Sequence, residues 1–133
     1  MAIQKSPGGS MFPYYYKGGE LFGAHYGSFF DNEGALLARM KGEEEFLLNS
    51  NRKLPFWVDF YESKLTDNVL IEFIESMHRL RSHIPRLAIV GCTFRDKRHL
   101  QSLIKKSGLE IPLPLRFFSD PEAAKTWLVG ESR

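Results

Sequence analysis

Cys92 and Arg98 are the two residues whose types and spacing come closest to an active site. Five residues separate them, the C-x5-R spacing of phosphatase-like and rhodanese-like loops. In such a loop successive backbone N–H groups and a helix N-terminus hold an oxyanion and depress the thiol pKa. The residues between must be small enough to curl around the anion. Here they are Thr93, Phe94, Arg95, Asp96 and Lys97, with no glycine and with a carboxylate where the anion would sit. The expectation is a small, partly buried thiol at a strand end, with a Cys-dependent phosphatase or sulphurtransferase as the weaker alternative and no catalytic residue assigned.

Other chemistry is sparser still. Of the four histidines, His25, His78, His83 and His99, only His78 and His83 lie close together. Their i, i+5 spacing misses the i, i+4 spacing that puts two ligands on one helix face, so no metal and no cofactor are expected. Glu43, Glu44 and Glu45 are adjacent and are expected to fan outward into solvent. Asp59 and Glu62 fall near the carboxyl end of a strand, where open α/β sheets place ligands, with Asp59 capping a turn as its simpler role. Gly18-Gly19 precedes no helix in the phosphate-binding arrangement.

The elements that must position these residues are legible from pattern. Residues 1–11, rich in Gly, Ser and Pro, read as a flexible leader to a single domain over 12–133. From Phe12 to Phe30 aromatics alternate with glycines, which predicts a hairpin or two short strands turning at Gly18-Gly19. Asp31 or Asn32 should cap a helix to about Asn49, with a break near Gly42. Then come strands at 54–60, 86–91 and 115–118, each followed by a capped amphipathic helix. Thr66 or Asp67 should cap the first of these helices, Gly108 should end the second, and Ser119-Asp120-Pro121-Glu122 should open the last. That alternation predicts an α/β fold whose central sheet of four to five strands is mainly parallel and covered by helices.

The stretch from Phe56 to Leu128 resembles a STAS domain, the family of anti-sigma-factor antagonists and sulphate-transporter tails. The resemblance rests on FWVDF, KLTDNVLIEFIESMHRL, RLAIVG, KKSGLE and RFFSDPEAAKTWL taken in order. It implies a STAS-like fold and a non-enzymatic, regulatory binding module that works by protein–protein contact. In that family an Asp-Ser-Ser-Gly-like turn opens the helix after the central strand, and its hydroxyl accepts phosphate from a partner kinase. Asp67, Asn68, Val69 and Leu70 stand at those positions, so the acceptor is missing; Thr66 and Ser63 come one and several positions too early. The expected contact region is the polar loop and helix start formed by Glu62, Ser63, Lys64, Thr66, Asp67 and Asn68, and the expected partner is a kinase or other signalling protein.

A rival reading gives the N-terminal aromatics to a small apolar, lipid-like ligand. Tyr14, Tyr16, Phe22 and Tyr26 would then line a pocket, or a face for a second copy of the chain. Composition sets outer limits. A net charge of +2 with interspersed signs is too weak for a nucleic-acid binder. No apolar run reaches the ~20 residues of a membrane span, and the first residues hold no secretory signal. One cysteine excludes an internal disulfide and suits a reducing compartment, so the expected location is cytoplasmic.

Overall fold

Leu87–Val90, four apolar residues in a row, are all buried because both faces of their strand are covered. A computed structural model describes residues 4–109 and 111–130. Its elements run β1 Gln4–Lys5, β2 Met11–Phe12, β3 Tyr14–Tyr16, β4 Gly19–His25, α1 Glu33–Ser50, β5 Phe56–Asp59 and α2 Asp67–Arg79. They continue with β6 Leu87–Val90, α3 Phe94–Ser107, β7 Leu115–Phe118 and α4 Pro121–Gly130. The main sheet has the order β3-β4-β5-β6-β7; β3 pairs antiparallel with β4, and every other pair is parallel. The three strands expected at 54–60, 86–91 and 115–118 are parallel neighbours within it.

Strand alternation divides the core in two. Phe22, Ala24, Phe56, Val58, Leu87 and Ile89 face α1, α2 and α3, while Leu21, Trp57, Ala88 and Val90 face α4. Val69, Leu70, Phe73, Ile74 and Met77 bury one side of α2, each contributing roughly 1.5–3 kcal/mol by leaving water. All four helices start at the carboxyl ends of the parallel strands. Caps fix those starts: Asn32 for α1, Thr66 for α2, Thr93 with Asp96 for α3, and Asp120 for α4.

The N-terminal half forms the expected hairpin but departs from expectation in its details. Its hairpin turns at Lys17-Gly18, where φ is 48° and 84°, a pair suited to a type I′ turn. Its second strand, β4, then pairs in parallel with β5, so the aromatic segment enters the sheet interior. Of the expected leader, residues 1–3 lie outside the described residues. The rest pairs β1 with β2 in a ribbon that buries Ser6 and Ser10.

The cause is on α1, which passes Gly42 unbroken, Pro7 lying over that glycine. Ser6 Oγ donates to Glu43 Oε2 at 3.2 Å. The neighbouring Glu44 accepts two hydrogen bonds from Arg79, at 2.6 and 2.9 Å. Both carboxylates are therefore buried, and of the acidic run only Glu45 is exposed.

Candidate functional site

The loops leaving β4 and β5 are laced together. Tyr26 N donates to Asp59 O at 2.9 Å, Ser28 N to Tyr61 O at 2.7 Å and Phe30 N to Glu62 O at 2.8 Å, while Lys64 N returns to Phe30 O at 2.6 Å. Parallel pairing thus continues past the strands into their exits. Ser28, Phe30 and Glu62 take left-handed backbone angles (φ 63°, 52° and 61°), each costing of order 1–3 kcal/mol that the surrounding structure must offset. Gly27 and Gly91 leave no room for a Cβ against the Tyr61 backbone, so glycines from the β4 and β6 exits clasp that residue.

Within this lacework the six expected contact residues come together but divide by role. Glu62 is exposed and accepts from Ser28 Oγ at 3.1 Å. Ser63 turns inward: its hydroxyl donates to Tyr26 O at 2.6 Å and accepts from Phe29 N at 3.1 Å. Thr66 is half-buried, accepting from Val69 N at 3.2 Å as the α2 cap and donating to Glu33 Oε1 at 2.6 Å. Asn68 donates to the other oxygen of Glu33 at 3.3 Å. Asp67 is exposed and pairs with His99 Nε2 at 2.8 Å, and Lys64 is exposed.

Three residues outside the expected set complete the surface. Phe30 and Tyr61 are each 62% exposed and Phe94 is 74% exposed, on the exits of three successive parallel strands. Tyr61 was legible in principle. It follows the last inward residue, Phe60, in FWVDFYES, so alternation points it outward just where polar residues begin.

The other candidates read differently. Cys92 is half-buried, and burial first, then Asp96 and Asp59, push its thiol pKa up to about 12. Residues 94–97 are already helical, Thr93 and Asp96 cap each other across the first turn, and Arg98 lies over the Phe94 ring at 5.8 Å. The segment enters its helix directly, and the Asp96 carboxylate already accepts from Thr93 N where an anion would sit. Asp59 Oδ1 accepts from Tyr61 N at 2.8 Å, the turn-capping role. No cluster of three or more His, Cys, Asp or Glu suited to a metal occurs among the described residues.

The expected aromatic pocket does not hold as a group. Phe22 and Tyr26 are fully buried in the core on the α1–α3 side, whereas Tyr14 and Tyr16 pack on the α4 side, Tyr16 bonding to Thr126 at 3.2 Å. The sheet itself separates the two pairs. Comparison with family models, with curated proteins and with solved structures found no match to the chain. No helix among the described residues is long and apolar enough to cross a membrane.

Proposed function

We propose that this chain is a STAS-like module that acts by binding a partner protein through the joined exits of β4, β5 and β6. The observation that carries the reading is the exposure of Phe30 and Tyr61 on loops that are themselves braced, together with exposed Phe94 at the start of α3. Large rings left in water are what a partner can bury, and aromatic residues are the ones enriched at interface centres. Bracing reduces the ordering cost of binding, since the rings need not be fixed when the partner arrives. Exposed Asp31, Glu62 and Asp67 accompany Lys64 at the Phe30 and Tyr61 end of the surface, and exposed Arg95 and Arg98 lie at its Phe94 end, so the surface carries charge of both signs.

The proposed contact works without phosphate. Val69, at a family acceptor position, is fully buried, and Thr66 uses its hydroxyl to cap α2 and to reach Glu33. A phosphate on Thr66 would meet the Glu33 carboxylate that already occupies this helix start. Cytoplasmic signalling, with a kinase or similar regulator as partner, is the setting the family resemblance suggests. The test is affinity capture from native lysate with wild type, Tyr61→Ala, Asp67→Lys and Thr66→Ala. A protein retained by wild type and Thr66→Ala but lost from the other two supports the surface. Equal retention by all four refutes it, and phosphate found on Thr66 in chain purified from its own cell refutes phospho-independence.

A further inference from the structure

Asp67 in the first turn of α2 pairs with His99 of α3, Oδ1 to Nε2 at 2.8 Å, and that contact sets the two helices in register. Both follow parallel strands on the same side of the sheet, so they run in the same direction. Side chains four residues apart share a helix face. One turn beyond the pair, Ile71 and Leu103 therefore stand on the two sides of the seam, and one turn further come Glu75 and Lys106. With Ile74 and Leu109 they line an open groove of about 370 Å³.

The groove is apolar at its centre and charged at its edge. Ile71 is 41% exposed, the one large apolar side chain among the described residues left in water beyond the first position of a helix. Leu103 and Leu109 are half-buried. Glu75 and Lys106 are both exposed, and neither forms an ion pair among the described residues. The two helices also differ in sign along their length. α2 carries Asp67, Glu72 and Glu75 against Arg79, whereas α3 carries Arg95, Lys97, Arg98, Lys105 and Lys106 against Asp96.

This pattern decides what covers the groove. A second copy turned about a two-fold axis along the groove lays its α3 on α2 and its α2 on α3, each at the same height. Acid then meets base twice, Glu75 against Lys106 of the second copy and the reverse, around a centre of paired Ile71 and Leu103 side chains. An axis across the helices would instead set α2 on α2 and α3 on α3, like charge on like, which is disfavoured. We infer that the chain forms a symmetric dimer through the α2–α3 groove, with Ile71 and Leu103 at its centre and reciprocal Glu75–Lys106 pairs at its edge. The groove runs from Asp67 away from the exposed rings on the strand exits, so this contact and the proposed partner surface can each fail alone.

Sedimentation velocity of the full chain at low salt should show monomer passing to dimer between about 10 μM and 1 mM. Glu75→Lys and Lys106→Glu each set like charges in both edge contacts, and each should weaken association about tenfold or more. Mixed in equal amounts, the two variants should dimerise again, because every edge contact then joins opposite charges. Recovery in trans cannot come from a contact within one chain. Ile71→Ser should weaken the dimer as well. Glu45→Lys, exposed on α1 and equal to Glu75→Lys in charge change, should not, with thermal melts confirming each fold. A chain that stays monomeric across that range overturns the proposal and leaves the groove to a small apolar molecule or a different protein. A dimer unchanged in Ile71→Ser, or no recovery on mixing, also overturns it.

Discussion

Thr66 gives its hydroxyl proton to Glu33, Oγ1 to Oε1 at 2.6 Å, so the first turn of α1 holds the first turn of α2. The same hydroxyl accepts from Val69 N. One side chain thus caps a helix and ties two loops of the proposed contact surface. Thr66→Ala should destabilise the chain by about 1–2 kcal/mol, the usual loss for an N-cap plus a hydrogen bond. Thr66→Asp restores a capping oxygen but sets a second carboxylate beside Glu33, and should be no more stable than Thr66→Ala. Urea denaturation of the three proteins checks this. Wild-type stability in Thr66→Asp would mean that the Glu33 contact does not form.

Gly91 and Gly108 both adopt left-handed angles, φ 86° and 70°, in different surroundings. No atom lies within 4 Å of the Cβ position at Gly108, so alanine there should cost only about 1–2 kcal/mol for the backbone. At Gly91 a Cβ would collide with the Tyr61 nitrogen and lie 2.9 Å from its Cα. Gly91→Ala must displace the Tyr61 loop and should cost more than about 3 kcal/mol. Denaturation midpoints of the two variants separate the effects; equal losses would show that Gly91 does not clasp that loop.

The parallel half of the sheet was readable because its signals are local: LAIV for a strand buried on both faces, Thr66 and the Ser119-Asp120-Pro121-Glu122 run for helix starts, and Gly108 for a helix end. The place of β4 was not. Its glycines spoil the apolar run of GELFGAH, and Gly23 makes sense only once Trp57 of the next strand packs over it. Glu43 and Glu44 look like a solvated run until Ser6 and Arg79 arrive from distant segments. The polar residues at 62–68 were legible as one cluster, because they fall in a single loop and helix start. The exposed rings beside them were not, because Phe30, Tyr61 and Phe94 come from three separate strand exits.

Cys92 should behave as a buried thiol. With its pKa pushed up to about 12, iodoacetamide should modify it more slowly than a free cysteine of pKa ~8.5 at every pH up to about 9. An apparent pKa below that of a free thiol, with phosphatase or sulphurtransferase turnover lost in Cys92→Ser, would contradict this and favour the C-x5-R reading.

Glu43 makes the fold sensitive to pH. Burial raises its pKa above the ordinary 4.5, against the opposing hydrogen bonds from Ser6 and Gly8 and the charge of Arg39. A carboxyl that holds its proton more tightly when folded favours the fold most where it is protonated in both states. That contribution is complete below the ordinary value and declines as pH rises through the raised one. Glu43→Gln stays neutral, so its stability relative to wild type should improve between about pH 4 and pH 8. Urea midpoints of the two proteins across that range measure it, and a difference that does not change with pH would contradict it.

The most direct test of the proposed partner contact is site-specific photo-crosslinking in the native cell, with the reactive side chain at Tyr61 or, as a control, at Asn49. Asn49 is exposed at the far end of α1, away from the strand exits. The contact surface proposed here predicts a discrete protein adduct from position 61 that disappears when Asp67→Lys is added, and none of that mass from position 49. No adduct from position 61, or the same adducts from both positions, would contradict it.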